Sequence, residues 1–436
     1  MSSHAYHRLP PALFDWINFL CKALPARSIR TFLELLIAAM LTPTGFVTDA
    51  YLILDMQNHW TSYYKWLQNG KWSWLGLARQ FCRLALQVMG VQEVFLAIDD
   101  HLVLRKSKKA PGSQIHHQHG SKPNLAKYVQ GQCWVSLGMS VRRSTGEPVS
   151  LPLLTRLIPS AGNTGKLIAA NTLIRAVCHL LHGKVTVLVD SWYMRKTFIA
   201  SMLKRKFNVI GQARIDTRLY DLPPKRKKGQ RGAPRKYGDK YTKKRIAHLK
   251  KTEATLHLYG RDQCLRYRSR QVLARFLEGV QVTAVWCEFQ NKDGHWNKTR
   301  LLLSTDLSLT PEAIIQRYAL RWPIETMFNQ LKNGWGLKET WQQTRQTLHR
   351  WVHINMVSFG LLQLLSCFNH EAVQLLCNHS PWRKDNPITP GQIRKGLLPI
   401  LMHVKVRDWW NATCKKFQPP DSSKNKAFTL NSEKAA

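Results

Sequence analysis

The sequence predicts an α/β fold: a mixed sheet flanked by helices, interrupted by a β-rich insertion, with helical regions at both ends. Three observations predict it. Short apolar, β-branched runs such as Glu93–Asp100 (EVFLAIDD) and Lys184–Asp190 (KVTVLVD) alternate with helical periodicity, as in Asn163–Leu181. That alternation breaks between about 214 and 300, where a basic Gly/Pro-punctuated stretch is followed by further strand-like runs. Finally, 44% hydrophobic content with 16 Trp, 15 Phe and 12 Tyr in 436 residues is enough to bury large cores.

Residues 1–90 read as a helical domain. Ser28–Met40 is apolar at helical spacing behind a candidate Ser28 cap, and Trp60, Tyr63, Tyr64, Trp66, Trp72 and Trp74 follow among Lys and Gln. An aromatic core explains such a segment; recognition of DNA is the sharper reading. Residues 91–213 carry the first part of the α/β layer. Its strands are Glu93–Asp100, Gly131–Val141, Pro148–Leu154, Lys184–Asp190 and Phe207–Ala213, with helices over Asn163–Leu181 and Met194–Arg205. Residues 214–300 form the insertion, with strands expected at Thr255–Tyr259, Val280–Phe289 and Thr299–Leu303. Residues 301–340 return to the layer. There Thr310–Gly334 is expected as a helix entered through Thr-Pro-Glu, with Pro311 at its first position. Residues 341–417 read as helical and Trp-rich, and 418–436 as a polar, disordered tail.

Charge narrows the function. Lys and Arg number 65 against 26 Asp and Glu, a formal net charge of +39. So one-sided a chain repels itself unless a polyanion neutralises it, and nucleic acid is the commonest such partner. The densest run lies in the insertion, where Lys225, Arg226, Lys227, Lys228, Arg231, Arg235 and Lys236 face only Asp239 nearby. Such a run is a solvated face at the least and a phosphate-contacting loop at best. A membrane-surface protein is the rival, but the longest apolar stretches, Phe32–Leu41 and Val357–Phe368, are too short to span a bilayer. The N-terminal residues do not read as a signal peptide, and the nine cysteines are scattered without a CxxC pair. Both point to a reducing cytoplasm. The histidines of HHQHG (His116, His117, His119) have no cysteine beside them, so a basic loop is preferred to a zinc site.

Chemistry is concentrated in a few acids. Two apolar strands end in carboxylates, Asp99/Asp100 and Asp190, at the rim of a sheet where open α/β folds place their sites. An aspartate there is equally a good turn residue. Because strand side chains alternate, Asp99 and Asp100 must point to opposite faces. In the helix that follows, Tyr318, Arg321, Glu325 and Lys332 are offset by 3, 7 and 14 residues, within an arc of roughly 60° on one continuous helix. Pro323 either kinks that helix or opens a second one.

The pattern Tyr-x2-Arg-x3-Glu-x6-Lys, met by Tyr318, Arg321, Glu325 and Lys332, resembles the signature of DDE transposases of bacterial insertion sequences, in the insertion-sequence-four-like superfamily. The words FLAIDD, VLVDSWYM and LLLSTDLSLTPEAIIQRYALRWPIETMFNQLKNGWGL are similar in style, and the resemblance covers about residues 90–340. It implies an RNase H-like core in which Asp, Asp and Glu bind two divalent ions, Mg²⁺ or Mn²⁺. Asp190 and Glu325 then correspond to the second and third carboxylates. Asp100 or Asp99 supplies the first, with a slight preference for Asp100. His101 stands where Thr or Ser is familiar. Tyr318, Arg321 and Lys332 correspond to residues contacting phosphates. Trp286 and Trp296 are candidates to stack a flipped base, with Trp296, in the turn-like KDGHWNK, the more exposed. The implied activity is cut-and-paste transposition on double-stranded DNA, at transposon ends and target, by a dimer on DNA in the cytoplasm beside the nucleoid. No membrane or small-molecule substrate is expected. A catalytically inactive DNA-binding derivative and a junction-resolvase-like nuclease are the alternatives.

Overall fold

The computed structural model describes residues 8–117, 126–159, 163–225, 231–368, 371–378, 381–383 and 386–419. Five helices open the chain: α1 (Pro11–Cys21), α2 (Ala26–Leu41), α3 (Val47–Ile53), α4 (Trp60–Asn69) and α5 (Trp74–Met89). Strands β1 (Glu93–Leu104), β2 (Ser113–His117), β3 (Tyr128–Arg142) and β4 (Pro148–Leu157) follow. Next come α6 (Asn163–Val177), β5 (Lys184–Val189), α7 (Lys196–Lys204) and β6 (Asn208–Ala213). The basic, β-rich stretch contains β7 (Leu219–Tyr220), α8 (Lys243–Ala247), β8 (Thr252–Leu258), β9 (Arg261–Ala274) and β10 (Gln281–Phe289), and leads into β11 (Arg300–Ser304). Helices α9 (Pro311–Ala319), α10 (Pro323–Gly334), α11 (Arg345–Leu365), α12 (Glu371–Cys377) and α13 (Pro390–Leu401) complete the elements used below.

Packing divides the chain into two compact units. One comprises residues 1–91, 100–180 and 323–436; the other comprises residues 92–99 and 181–322. The boundary falls inside β1, between Asp99 and Asp100, and again between Trp322 and Pro323.

In the second unit β1 and β5 run parallel, as do β5 and β6, while β11, β10, β9 and β8 add antiparallel strands. The β-rich stretch therefore extends this sheet rather than closing a sheet of its own. Strand β9 (RDQCLRYRSRQVLA) escaped sequence detection because charged side chains fill its outward positions. Leu265 and Tyr267 mark its buried face in the middle, and Val272, Leu273 and Ala274 are buried at its end. That face belongs to a core of Leu188, Ile210, Leu265, Val285 and Leu302, closed by Ile314, Ile315, Ala319 and Leu320 of α9 and the turn after it.

In the first unit β3 lies beside β1 and pairs antiparallel with β2 and β4. Antiparallel strands here, with the parallel β1–β5–β6 set of the other unit, give the mixed α/β architecture expected, compatible with an RNase H-like core. Helix α11 is buried along almost its whole length and packs against α2, α4, α5 and β4, so the helical ends of the chain share one core. Gly360 permits this closeness, since a Cβ there would stand 2.3 Å from the Phe81 ring. His116 and His117 lie on β2, not in a loop, and His119 lies outside the described residues. Ser28 is not a helix cap: α2 begins at Ala26 behind Pro25, and the Ser28 hydroxyl accepts from Trp66 Nε1 at 3.1 Å.

Three buried arginines tie the first unit together. Arg350 donates to the carbonyls of Leu67 (2.8 Å), Gln68 (3.2 Å), Gly70 (2.6 Å) and Trp72 (2.8 Å), and its guanidinium lies 4.9 Å from the Trp72 ring centre. Those carbonyls close α4 and lead into α5, and helix ends leave carbonyls that need donors. Arg105 reaches Gln132 and the Lys338 and Thr340 carbonyls, and Arg394 reaches the Thr42 and Gly334 carbonyls. Burial lowers both to about 10, so both stay charged at neutral pH. Replacing Arg350 with Met is expected to strand several buried carbonyls and to cost about 3 kcal/mol or more. Arg350→Lys recovers only part, since an ammonium lacks the planar fork. Thermal unfolding of the three proteins checks this: equal midpoints would contradict it.

Candidate active site

The apolar run of β1 sits in parallel register with β5: Glu93 beside Lys184, Ala97 beside Leu188, Ile98 beside Val189. Residues level with each other in such a pair share a face. The pairing ends with Ile98 beside Val189; Asp99, next on β1, lies on the face that carries Phe95 and is covered by α9, and Asp190 directly follows β5. Glu93, on the same face, pairs with Arg317 of α9 at 2.7 Å.

At the end of that face the charges are organised. Arg321 Nη1 meets Asp99 Oδ2 at 2.8 Å, with both side chains largely buried. Asp190 Oδ1 accepts from the backbone N–H of Trp192 (3.0 Å) and Tyr193 (3.3 Å), so it also fixes the turn leaving β5. Tyr318 stands against the same group, with the Arg321 guanidinium 6.0 Å from its ring centre. Burial pushes its phenol up to about 12. The Asp190 charge adds to the rise and Arg321 opposes it.

Asp100 has other surroundings, in the first unit. Its Oδ2 takes Lys166 Nζ of α6 at 2.7 Å and the Cys133 thiol of β3 at 3.6 Å. Burial, helped by Asp100, raises that thiol to about 12, so it stays protonated. Beside Asp100 the His101 ring is buried 4.4 Å from Phe328, with no hydrogen-bond partner at either nitrogen. Burial, with the Lys332 charge behind it, holds His101 well below its usual value, so it is neutral.

Tyr318, Arg321, Glu325 and Lys332 do not share one helix. Leu320, Arg321 and Trp322 bond back three residues and close α9, and Pro323 opens α10. A proline has no N–H to donate and its ring clashes with the preceding turn, so it fits first in a helix, not inside one. Tyr318 ends α9 and Arg321 lies in the connection. Glu325, in the first turn of α10, and Lys332, in its last, share one stripe that flanks the buried Ile324, Met327, Phe328 and Leu331. The expected cap is present: Thr310 Oγ1 accepts from Ala313 N–H at 3.2 Å, with Pro311 first in the helix.

The basic candidates separate as well. Lys225, Arg231, Arg235 and Lys236 are exposed, while Arg226, Lys227 and Lys228 lie outside the described residues. Trp286 is 3% exposed and packs 6.0 Å from Tyr241, so it is a core side chain with no face for a base. Trp296 is half-buried, with Arg266 4.4 Å over its ring. Among the described residues no group of three His, Cys, Asp or Glu side chains could by itself hold a metal ion. Lys166 and Cys133, the partners of Asp100, carry no motif that sequence reasoning could have used.

Among known families, the model described as DDE superfamily endonuclease matches residues 19–274. The match takes in Asp99, Asp100 and Asp190 and ends before α9, so Glu325 lies beyond it. No curated protein matches the chain.

Tyr318 is expected to remain a neutral hydrogen-bond donor at every physiological pH. Its folded value, about 12, lies above the ordinary value near 10. The stability it contributes is therefore full below about pH 10 and is lost as pH rises through about 12. An ultraviolet titration of the wild type minus Tyr318→Phe reads this phenol alone, and ionisation near pH 10 would contradict the burial argument.

Proposed function

Because the chain belongs to the DDE superfamily of endonucleases, we propose that it is the transposase of a DNA insertion sequence, of the insertion-sequence-four-like kind. It binds the inverted repeats at the transposon ends, cleaves the strands and joins the free 3′ ends to target DNA. The observation that carries this reading is the parallel pairing of β1 with β5, which brings the stretch of β1 that leads to Asp99 alongside the strand that ends just before Asp190. A net charge of +39 supplies the affinity for a polyanion.

Asp99, rather than the initially preferred Asp100, is the first carboxylate in this proposal. It lies on the face covered by α9, whereas Asp100 is engaged by Lys166 and Cys133. Asp190 is the second carboxylate and Glu325 the third. DDE endonucleases generally use divalent metal ions, and the carboxylate oxygens of Asp99, Asp190 and Glu325 are hard donors of the kind Mg²⁺ or Mn²⁺ prefers. Two such ions, when bound, activate a nucleophile at neutral pH and stabilise the leaving oxyanion.

The chain's own residues position the substrate. Arg321, rigid at the end of α9, neutralises Asp99 and is placed for a phosphate oxygen near the scissile bond. Tyr318, neutral, donates to a second oxygen. Lys332 adds a point charge from the face of α10 that carries Glu325. Trp296 and the exposed Lys225, Arg231, Arg235 and Lys236 extend the contact along the strand, with Arg226, Lys227 and Lys228 continuing the same basic run. Synapsis of two ends requires at least a dimer on DNA, and the setting is the cytoplasm, beside the nucleoid.

Asp99→Asn, Asp190→Asn and Glu325→Gln are each expected to reduce Mg²⁺-dependent nicking of end-containing DNA by about 10³-fold or more. That corresponds to several kcal/mol of lost charge stabilisation. Asp100→Asn should retain most activity. DNA binding should survive in all four. An Asp190→Asn protein that nicks normally overturns the assignment. Joining of a pre-cleaved end into plasmid separates a transposase from a resolvase-like nuclease, which only cleaves.

A further inference from the structure

The first unit holds a pocket that the proposed chemistry does not use. It has a volume of about 360 Å³ and is lined by Trp74, Arg156, Arg345, Gln346 and His349. Arg156 comes from the end of β4; Arg345, Gln346 and His349 come from the first turns of α11. None of the five is acidic. The first turn of α11 contains no acid either, and a 21-residue helix presents a positive end there.

Three guanidiniums gather at this place. Burial lowers Arg156, and the charges of Arg345 and Arg175 lower it further, so the two neighbours repel it without an acid in compensation. Arg345 is held over the pocket by one bond, to the Leu157 carbonyl at 3.2 Å. His349 is 7% exposed and its Nδ1 has no hydrogen-bond partner. Its ring stacks on Trp74 at 5.0 Å and meets Trp134 edge-on at 5.2 Å. Burial, then His353, Arg345 and Arg156, pull it down to about 3, so the imidazole is neutral. Trp74, half-buried, forms a flat wall beside the cations. Converging cations, an unsatisfied buried imidazole nitrogen and a helix N-terminus together complement a tetrahedral anion.

We propose that this pocket binds a phosphate of the DNA backbone, gripped by Arg156 and Arg345 before the N-terminus of α11. The identity of the ligand rests on the DNA-handling function proposed above; the anion chemistry rests on the pocket itself.

Binding of the full chain to labelled duplex DNA, followed over a salt series, tests it. For R156Q/R345Q the slope of log K against log salt is expected to fall by about 1, with affinity roughly tenfold weaker near 0.1 M salt. R156K/R345K should restore the slope. A glutamine variant with the wild-type slope overturns the site. A wild type that binds no duplex overturns the DNA reading first, and this site with it. If the glutamine variant does not fold, inorganic phosphate is titrated into the wild type. A change in Trp emission that Trp74→Phe abolishes is expected, and its absence overturns the proposal. Phosphate binding together with an unchanged duplex slope would mark a small-anion site and overturn the DNA source.

Discussion

The parallel pairing of β1 with β5 is the constraint on which the proposed chemistry depends. The paired stretches are apolar and β-branched, with Leu96–Ile98 of β1 and Val185–Val189 of β5 buried. Such strands are fixed by burial, and a slip of one residue would turn every side chain to the wrong face. The register that satisfies the core sets Ala97 beside Leu188 and Ile98 beside Val189, immediately before Asp99 and Asp190.

A charge of +39 must be accommodated before it can be used. The arginines divide by surroundings. Arg105, Arg350 and Arg394 are buried and spend their donors on backbone carbonyls. Arg317, Arg321 and Arg266 meet Glu93, Asp99 and Glu288. Lys225, Arg231, Arg235 and Lys236 remain in solvent. The ion-paired arginines are already offset within the net total, and the last kind faces a partner directly. The Arg156–Arg345 pocket is a fourth kind: a half-buried arginine and an exposed one lining a pocket without an acid.

Much of the architecture was legible because it is local. The apolar runs became β1, β5 and β6, and the Thr-Pro-Glu start became α9 with the cap expected of it. Elements whose identity depends on neighbours were not legible. Strand β9 is a strand because β8 and β10 pair with it, although its own residues are charged. Of the two tryptophans, Trp296 in its turn-like setting is the more exposed, as expected; pairing and packing make Trp286 a core side chain.

By itself the sequence determined the mixed α/β class, the acid that follows β5, the basic excess and the break available at Pro323. Each follows from residue type and spacing, which short segments carry unaided. Asp99 and Asp100, expected at a strand end, lie inside β1, which runs on to Leu104. Only the tertiary structure decided that Tyr318 and Arg321 close one helix while Glu325 and Lys332 ride the next. It also decided that Asp99 meets Arg321 while Asp100 meets Lys166 and Cys133. Adjacent strand residues point to opposite faces, and which face matters is settled by what packs there: α9 over one, Lys166 and Cys133 against the other.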